Sequence, residues 1–373
     1  MSTPAPEYVV HGVRPSYFTR KITGYLDYKR LGWWLSPDAG AIPAARAAGW
    51  NGGIPAIRTP EGEMIWDSTA VILHLDRVHA DRPVSPPDPT IRFLDFVLED
   101  FADEWLYRHA VGSRWMFEEN RTVASWEIAR DASYVSTVPA ELAARMSEPP
   151  PPPSIGAVHD FVSEAMTGSL PRLGVSAENI DGWMSDSLRG WQRVLDAHLR
   201  VSPYLFGRRP SLADFALFGG NMAHFINDPY CRRLTEENGP EIVAHTQALA
   251  TSREREFGDW APPGEISETL IALLAETGRQ YLPWVAQATR RGSATVSFAD
   301  GSTAEIATTP FLSEARGVLL ARYLDARSDE LDAVLDDAGI LTFFADHVEE
   351  ATAVPDPLPL PQAMDNRPFP AGP

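Results

Sequence analysis

The chain has 373 residues, 44% of them hydrophobic, enough for sizeable cores and more than one ordinary domain. Its 32 Lys and Arg stand against 51 Asp and Glu, a formal net charge of -19 that repels polyanions and leaves no basic footprint for nucleic acid. No stretch approaches the roughly 20 uninterrupted apolar residues of a membrane span, and the opening residues lack a basic then apolar signal pattern, so no membrane partner and a cytoplasmic location are expected.

The single cysteine, Cys231, excludes an intrachain disulfide and any CxxC redox or zinc site. None of the nine histidines pairs with another at i, i+4, so no metal site is expected.

In chain order, residues 8–11 read as a strand that Gly12 and Arg14-Pro15 end. Ser16 is then an N-cap for a helix in which Phe18, Ile22, Tyr25, Leu26 and Lys29 recur until Gly32. Trp33-Trp34-Leu35 makes a second strand, and the Ala-rich residues 39–49 a second helix. Residues 54–58 and 63–66 form a hairpin around Thr59-Pro60-Glu61-Gly62, and Asp67-Ser68 opens a helix carrying Ala70, Val71, Leu73 and Leu75. The order is β-α-β-α-β-β-α.

Past a linker at 83–89 the pattern changes to long amphipathic helices, at 91–115, 123–135 and 180–199, in a domain without strands. Five successive prolines at 149–153 read as an exposed extended loop. A helix follows over 266–288, then a hairpin of 294–298 and 304–307 around Asp300-Gly301, a helix over 312–326 after Pro310, and another capped by Ser328 and ending near Gly339. The Pro-rich residues 354–373 are expected to be mobile.

Three separated motifs resemble the glutathione S-transferase family, in the family's order. Ser16-Tyr17-Phe18-Thr19-Arg20-Lys21-Ile22 looks like the family's Ser-Pro-Phe-x-Arg-Lys-Val, with Tyr17 where proline is usual. Gly53-Ile54-Pro55-Ala56 followed by Asp67-Ser68-Thr69-Ala70-Val71-Ile72 is similar to Val-Pro-x-Leu and Glu-Ser-x-Ala-Ile, with Asp67 one methylene short of the usual glutamate. Tyr204-Leu205-Phe206-Gly207 and Ser211-Leu212-Ala213-Asp214-Phe215 resemble the family's capping box and staple; independently, Ser211 caps a helix while Asp214 reaches back to the cap.

The resemblance, to a serine-type, bacterial-like member with a C-terminal extension, covers residues 8–260. It implies a thioredoxin-like α/β thiol-binding domain over 1–82, an all-α domain over 90–260, a helical extension with a β-hairpin over 261–353 and a Pro-rich tail over 354–373. It also implies a homodimer, and glutathione or another low-molecular-weight thiol as cosubstrate against a small electrophilic substrate.

A free thiol with pKa near 8.5 is mostly protonated at neutral pH, so a transferase has to stabilise the thiolate. A helix N-terminus with a hydroxyl supplies partial positive charge and a donor. By resemblance Ser16 is the donor, with Tyr17 as the alternative; an N-cap role alone is the competing reading of Ser16. Ile54-Pro55 corresponds to a cis-proline turn that offers the Ile54 backbone to the cysteinyl part of the tripeptide. Asp67 and Ser68 supply both polarities for the γ-glutamyl ammonium and carboxylate, against a plain N-cap. The electrophile is expected between the domains, against the helix carrying Trp105, Arg108, Arg114 and Trp115, with Arg114 favouring an anion.

The absence of a cysteine at the first helix disfavours thiol-disulfide exchange through the enzyme. A non-catalytic thiol-binding or protein-interaction module on the same fold is the alternative. The C-terminal hairpin and helices are a candidate lid or partner surface.

Overall fold

The computed structural model describes residues 8–36, 53–133, 155–262 and 264–353. The expected helix over 39–49, the five prolines and the tail lie outside the described residues.

Strand β1 (Tyr8–His11) runs parallel to β2 (Trp33–Ser36), with α1 (Tyr17–Tyr28) as the crossover. On its other edge β1 meets β3 (Ala56–Arg58) antiparallel, Val10 opposite Ile57, and β3 meets β4 (Met64–Trp66), Ile57 opposite Ile65. The sheet order is β2-β1-β3-β4. The β3–β4 turn closes through Gly62, whose φ of 93° is a region that favours glycine. Helix α2 (Ser68–Val78) follows directly. Val10, Ile57 and Ile65 from the sheet pack with Ile22, Tyr25 and Leu26 from α1 and Val71, Ile72 and Leu75 from α2, so the first part of the chain is a thioredoxin-like α/β unit.

The rest is helical. Asp88 caps α3 (Pro89–Asp100), its carboxylate accepting from the Ile91 N–H at 2.9 Å, with Pro89 at the first position. The expected helix over 91–115 is a continuous run, but residues Phe101–Leu106 form a π-helical turn before α4 (Tyr107–Met116). Helices α5 (Glu118–Ser133) and α6 (Ile155–Ser169) come next; α6 was not anticipated. The expected helix over 180–199 also contains a π-helical turn, Trp183–Leu188, ahead of α7 (Arg189–Leu199).

Helix α8 (Leu212–Gly220) opens on the expected capping box: the Ser211 N–H donates to Asp214 Oδ2 at 2.9 Å. Asp95, buried on α3, completes the cap by accepting from Ser211 Oγ at 2.7 Å and the Ala213 N–H at 2.9 Å. Helix α8 presses on α1. A Cβ added to Gly219 would lie 2.6 Å from the Tyr17 carbonyl oxygen, so glycine lets the two backbones approach. Helices α9 (Pro229–Asn238) and α10 (Pro240–Ala250) finish this part.

The expected helix over 266–288 is two, α11 (Glu268–Arg279) and α12 (Tyr281–Arg291). Pro283 has no N–H to donate to the Arg279 carbonyl, and its ring would clash there, so the helix restarts at Gln280. The hairpin is present as β5 (Ser293–Ser297) and β6 (Thr303–Ala307), followed by α13 (Pro310–Ala326), which Thr309 caps, and α14 (Asp329–Asp337), which Ser328 caps.

This C-terminal segment shares one apolar core with the helices before it: Trp284, Ile306, Leu320 and Tyr323 pack together with Phe93, Trp105 and Leu106. The Phe93 and Tyr323 rings are 5.7 Å apart. Gly174, at φ 74°, receives the hairpin: a Cβ there would lie 2.5 Å from Ile306 Cγ1. Because Ile306 is fully buried in that shared core, Ile306→Ala is predicted to cost about 2–5 kcal/mol while leaving a single cooperative transition in urea unfolding.

Candidate active site

Between the α/β unit and the helices lies a cleft of about 1660 Å³. One wall carries Ser16 at the start of α1, Ile54 before β3, and Asp67 and Ser68 at the start of α2. Three segments far apart in sequence are thus brought to one surface by the sheet, which sets the end of β1, the start of β3 and the end of β4 at one edge, His11 opposite Ala56 and Ala56 opposite Trp66.

Ser16 is the N-cap of α1, in extended backbone, and its Oγ accepts from the Thr19 N–H at 3.4 Å. The Ile54-Pro55 bond is cis, with Ile54 exposed at the cleft and Pro55 buried behind it, outside the lining. Asp67 is held at φ 70°, a conformation that costs a non-glycine residue about 1–3 kcal/mol. Its Oδ1 accepts from the Thr69 N–H at 3.1 Å and the Ala70 N–H at 3.2 Å, which caps α2 and leaves Ser68 as the first helical residue facing the cleft.

Tyr17 does not stand ready as a donor. Its hydroxyl donates to the Ala102 carbonyl at 2.9 Å, the ring is buried, and burial pushes the phenol well above its ordinary range.

At the base of this wall sits Lys21, fully buried. Its Nζ donates to Glu99 Oε1 at 2.6 Å, Asp103 Oδ2 at 2.6 Å and Thr69 Oγ1 at 3.2 Å, and the Thr69 hydroxyl donates to Glu99 as well. One ammonium therefore ties α1 to α2, α3 and the π-helical turn. Burial alone pulls the Lys21 pKa down, but Asp103 and Glu99 carry it above its ordinary value, so it stays charged. Lys21 lies three residues after Phe18 and four before Tyr25, on the buried face of an amphipathic helix; a lone lysine in that stripe is the signal that marks it.

The opposite wall is the face of α4 and the turn before it. Glu104, Tyr107, Arg108, Val111, Arg114 and Trp115 line the cleft. Trp105, expected there, does not: it lies in the core against Trp183 at 4.9 Å and Trp284 at 5.5 Å, its Nε1 donating to Ser187 Oγ at 3.2 Å. Full burial among those rings removes more apolar surface from water than a place on the cleft wall would.

Arg114 is also not free for a substrate anion. Its Nε and Nη2 donate to the two Asp228 oxygens at 2.8 and 2.9 Å, its Nη1 to the Pro15 carbonyl and its Nη2 to the Ala223 carbonyl. It thereby holds the residue before Ser16 against the helical unit. Trp115, 1% exposed, offers only part of its ring.

A third wall, which sequence reading did not locate, comes from α13: Phe311, Glu314, Val318, Leu319 and Arg322 face the cleft. Arg322 stacks on Phe96 at 3.5 Å from the ring centroid. Cys231 does not line the cleft: it is fully buried, its S–H donates to Ser113 Oγ at 3.0 Å, and burial pushes its pKa up to about 12, so it is no thiolate nucleophile.

With this geometry in place, the chain can be set beside known proteins. It is similar to a glutathione S-transferase from Rhodospirillum rubrum F11, at 12% identity and a TM-score of 0.40 over 70% of this chain and 99% of that one. A glutathione transferase from Phanerochaete chrysosporium matches at 15% and 0.39, over 68% and 98% of the two chains. A glutathione transferase family member from Pseudomonas fluorescens Pf-5, solved with two glutathione bound, matches at 16% and 0.36, over 69% and 96%. No family model and no curated protein matches the chain. At these identities and scores the likeness assigns no chemistry, which has to be read from the residues. Among the described residues, no helix is long and apolar enough to cross a membrane.

Removing one partner from a buried charge group costs more than the group contributes. Lys21→Met, which strands Glu99 and Asp103, is predicted to lower stability by about 3–5 kcal/mol. Adding Glu99→Gln to Lys21→Met should recover part of that loss in the same urea titration.

Proposed function

We propose that this chain is a glutathione S-transferase: it binds glutathione along the Ser16, Ile54, Asp67 and Ser68 wall and turns its thiolate on a small electrophile held against α4 and α13. The observation that carries the reading is the convergence of two helix N-termini, each with a hydroxyl, on the same cleft wall as Ile54 at the cis-proline turn.

Each part has a physical role. The Ser68 hydroxyl and the α2 N-terminus suit the γ-glutamyl carboxylate, and the Asp67 carboxylate suits its ammonium. The Ile54 backbone suits pairing with the cysteinyl residue. The Ser16 hydroxyl accepts from Thr19, but accepting leaves its own proton to donate, and sulfur at the α1 N-terminus is where that proton is useful. Donation to the thiolate and the partial positive charge there both favour S⁻ over SH.

In the step itself the thiolate sulfur forms a bond to the electrophilic carbon. With an aryl halide the C–X bond breaks, halide leaves with the electron pair, and the thiol proton has already gone to solvent.

The rival reading is a thiol-binding module without turnover, in which Ser16 and Asp67 act only as the helix caps they also are. Calorimetry with reduced glutathione and turnover of 1-chloro-2,4-dinitrobenzene separate the two. The transferase reading predicts binding at millimolar thiol or below and a drop in kcat of about 100- to 1000-fold in Ser16→Ala, the range that loss of one donor to a reacting anion produces. Absence of binding rejects the assignment; binding with no turnover across several electrophiles selects the module.

A further inference from the structure

Arg108 is a buried cation whose direct contacts are neutral groups. It is 7% exposed, and among the described residues it makes no ion pair. Its Nη1 donates to a neutral acceptor, the Leu173 carbonyl, at 3.2 Å, its Nε is buried without a partner, and its guanidinium carbon sits 4.5 Å from the Trp284 ring centroid. Burial pulls the Arg108 pKa below its ordinary value, and the opposing pull of Glu104, one turn earlier, does not offset it. Arg114, two positions on from Gly112 along the same wall, shows the contrast: it is equally buried and has Asp228 on both arms of its fork.

A guanidinium in this state pays a desolvation cost that one carbonyl and one ring face offset only in part and that an anion offsets further. Since Arg108 lines the cleft, the anion can come from what the cleft holds. Aromatic and apolar side chains line the same cleft, among them Phe18, Tyr107, Phe161, Phe311 and Leu319, with Tyr107 stacked on Phe18 at 5.3 Å; of the carboxylates there, Glu99 and Asp103 are taken by Lys21 and Asp100 accepts from Tyr281. A planar fork beside flat apolar walls matches a carboxylate carried on an aromatic or otherwise apolar body.

We infer that the second substrate is an apolar-bodied carboxylate and that Arg108 is the residue that selects it, by receiving its carboxylate while the apolar body lies toward Phe18 and Tyr107. This rests on the transferase reading for the thiol, and it specifies the electrophile class at the same cleft. Arg108 acts by binding; the thiol is activated at the other wall.

The test uses the full chain and two matched pairs of probes. The first is 4-chloro-3-nitrobenzoate and its methyl ester, as electrophiles for glutathione; the second is 3-nitrobenzoate and its methyl ester, as unreactive ligands followed by quenching of tryptophan fluorescence. Wild type is expected to prefer the carboxylate in both pairs. Arg108→Gln should reduce the carboxylate-over-ester ratio by about 30-fold, the size expected for hydrogen bonds to a charged group, and Arg108→Lys should restore part of it. Equal losses for acid and ester in Arg108→Gln, or a wild type with no preference for the acid, overturn the inference. The binding pair decides it even if no turnover is seen, whereas failure of wild type to bind glutathione in calorimetry counts against the transferase reading alone.

Discussion

One buried ammonium organises the cleft. Lys21 Nζ reaches Glu99, Asp103 and Thr69 at once, so the first helix of the α/β unit, its last helix and the long helical run opposite are fixed to a common point. Without that charge the two carboxylates facing it would be stranded in a low-dielectric interior, and with it they are paired. The same helix α1 is held a second time through Arg114, whose fork takes Asp228 and the Pro15 carbonyl together, and a third time by Gly219 on α8 lying against the Tyr17 backbone. The start of α1 is therefore held from three sides.

The division of labour across the cleft follows from these constraints. The α/β wall offers helix N-termini, hydroxyls and a carboxylate, all suited to a small zwitterionic peptide. The helical wall and α13 offer aromatic surface with guanidinium groups set in it. Helix α13 belongs to the C-terminal segment, which is part of the same core as the helices before it. The extension is thus a wall of the cleft as well as a load on the core, and sequence reading, which treated it as a possible lid, could not place Phe311 or Arg322 there.

What was legible in the sequence was what is encoded locally. Ser16, Asp67 and Ser211 announce helix starts by their side chains, Asp300-Gly301 announces a hairpin, and each is found where its chemistry puts it. What was not legible depends on distant partners. Lys21 has its carboxylates 78 and 82 residues away, Arg114 has its partner 114 residues away, and no short pattern records either pairing. Trp105 takes its core place from Trp183 and Trp284, rings far along the chain that no local pattern announces. Pro283, by contrast, was visible, and the break it causes between α11 and α12 could have been read from its missing N–H.

The central claim, that the α1 N-terminus with Ser16 stabilises a bound thiolate, is tested most directly by the absorbance of that thiolate near 240 nm. Glutathione bound to the protein is titrated with pH against free glutathione, in wild type and in Ser16→Ala. The account predicts that the bound thiol ionises about 1.5–2.5 pH units below the free thiol, and that most of this shift disappears in Ser16→Ala. A bound thiol that titrates with the free one, or a lowered value that Ser16→Ala leaves intact, contradicts it.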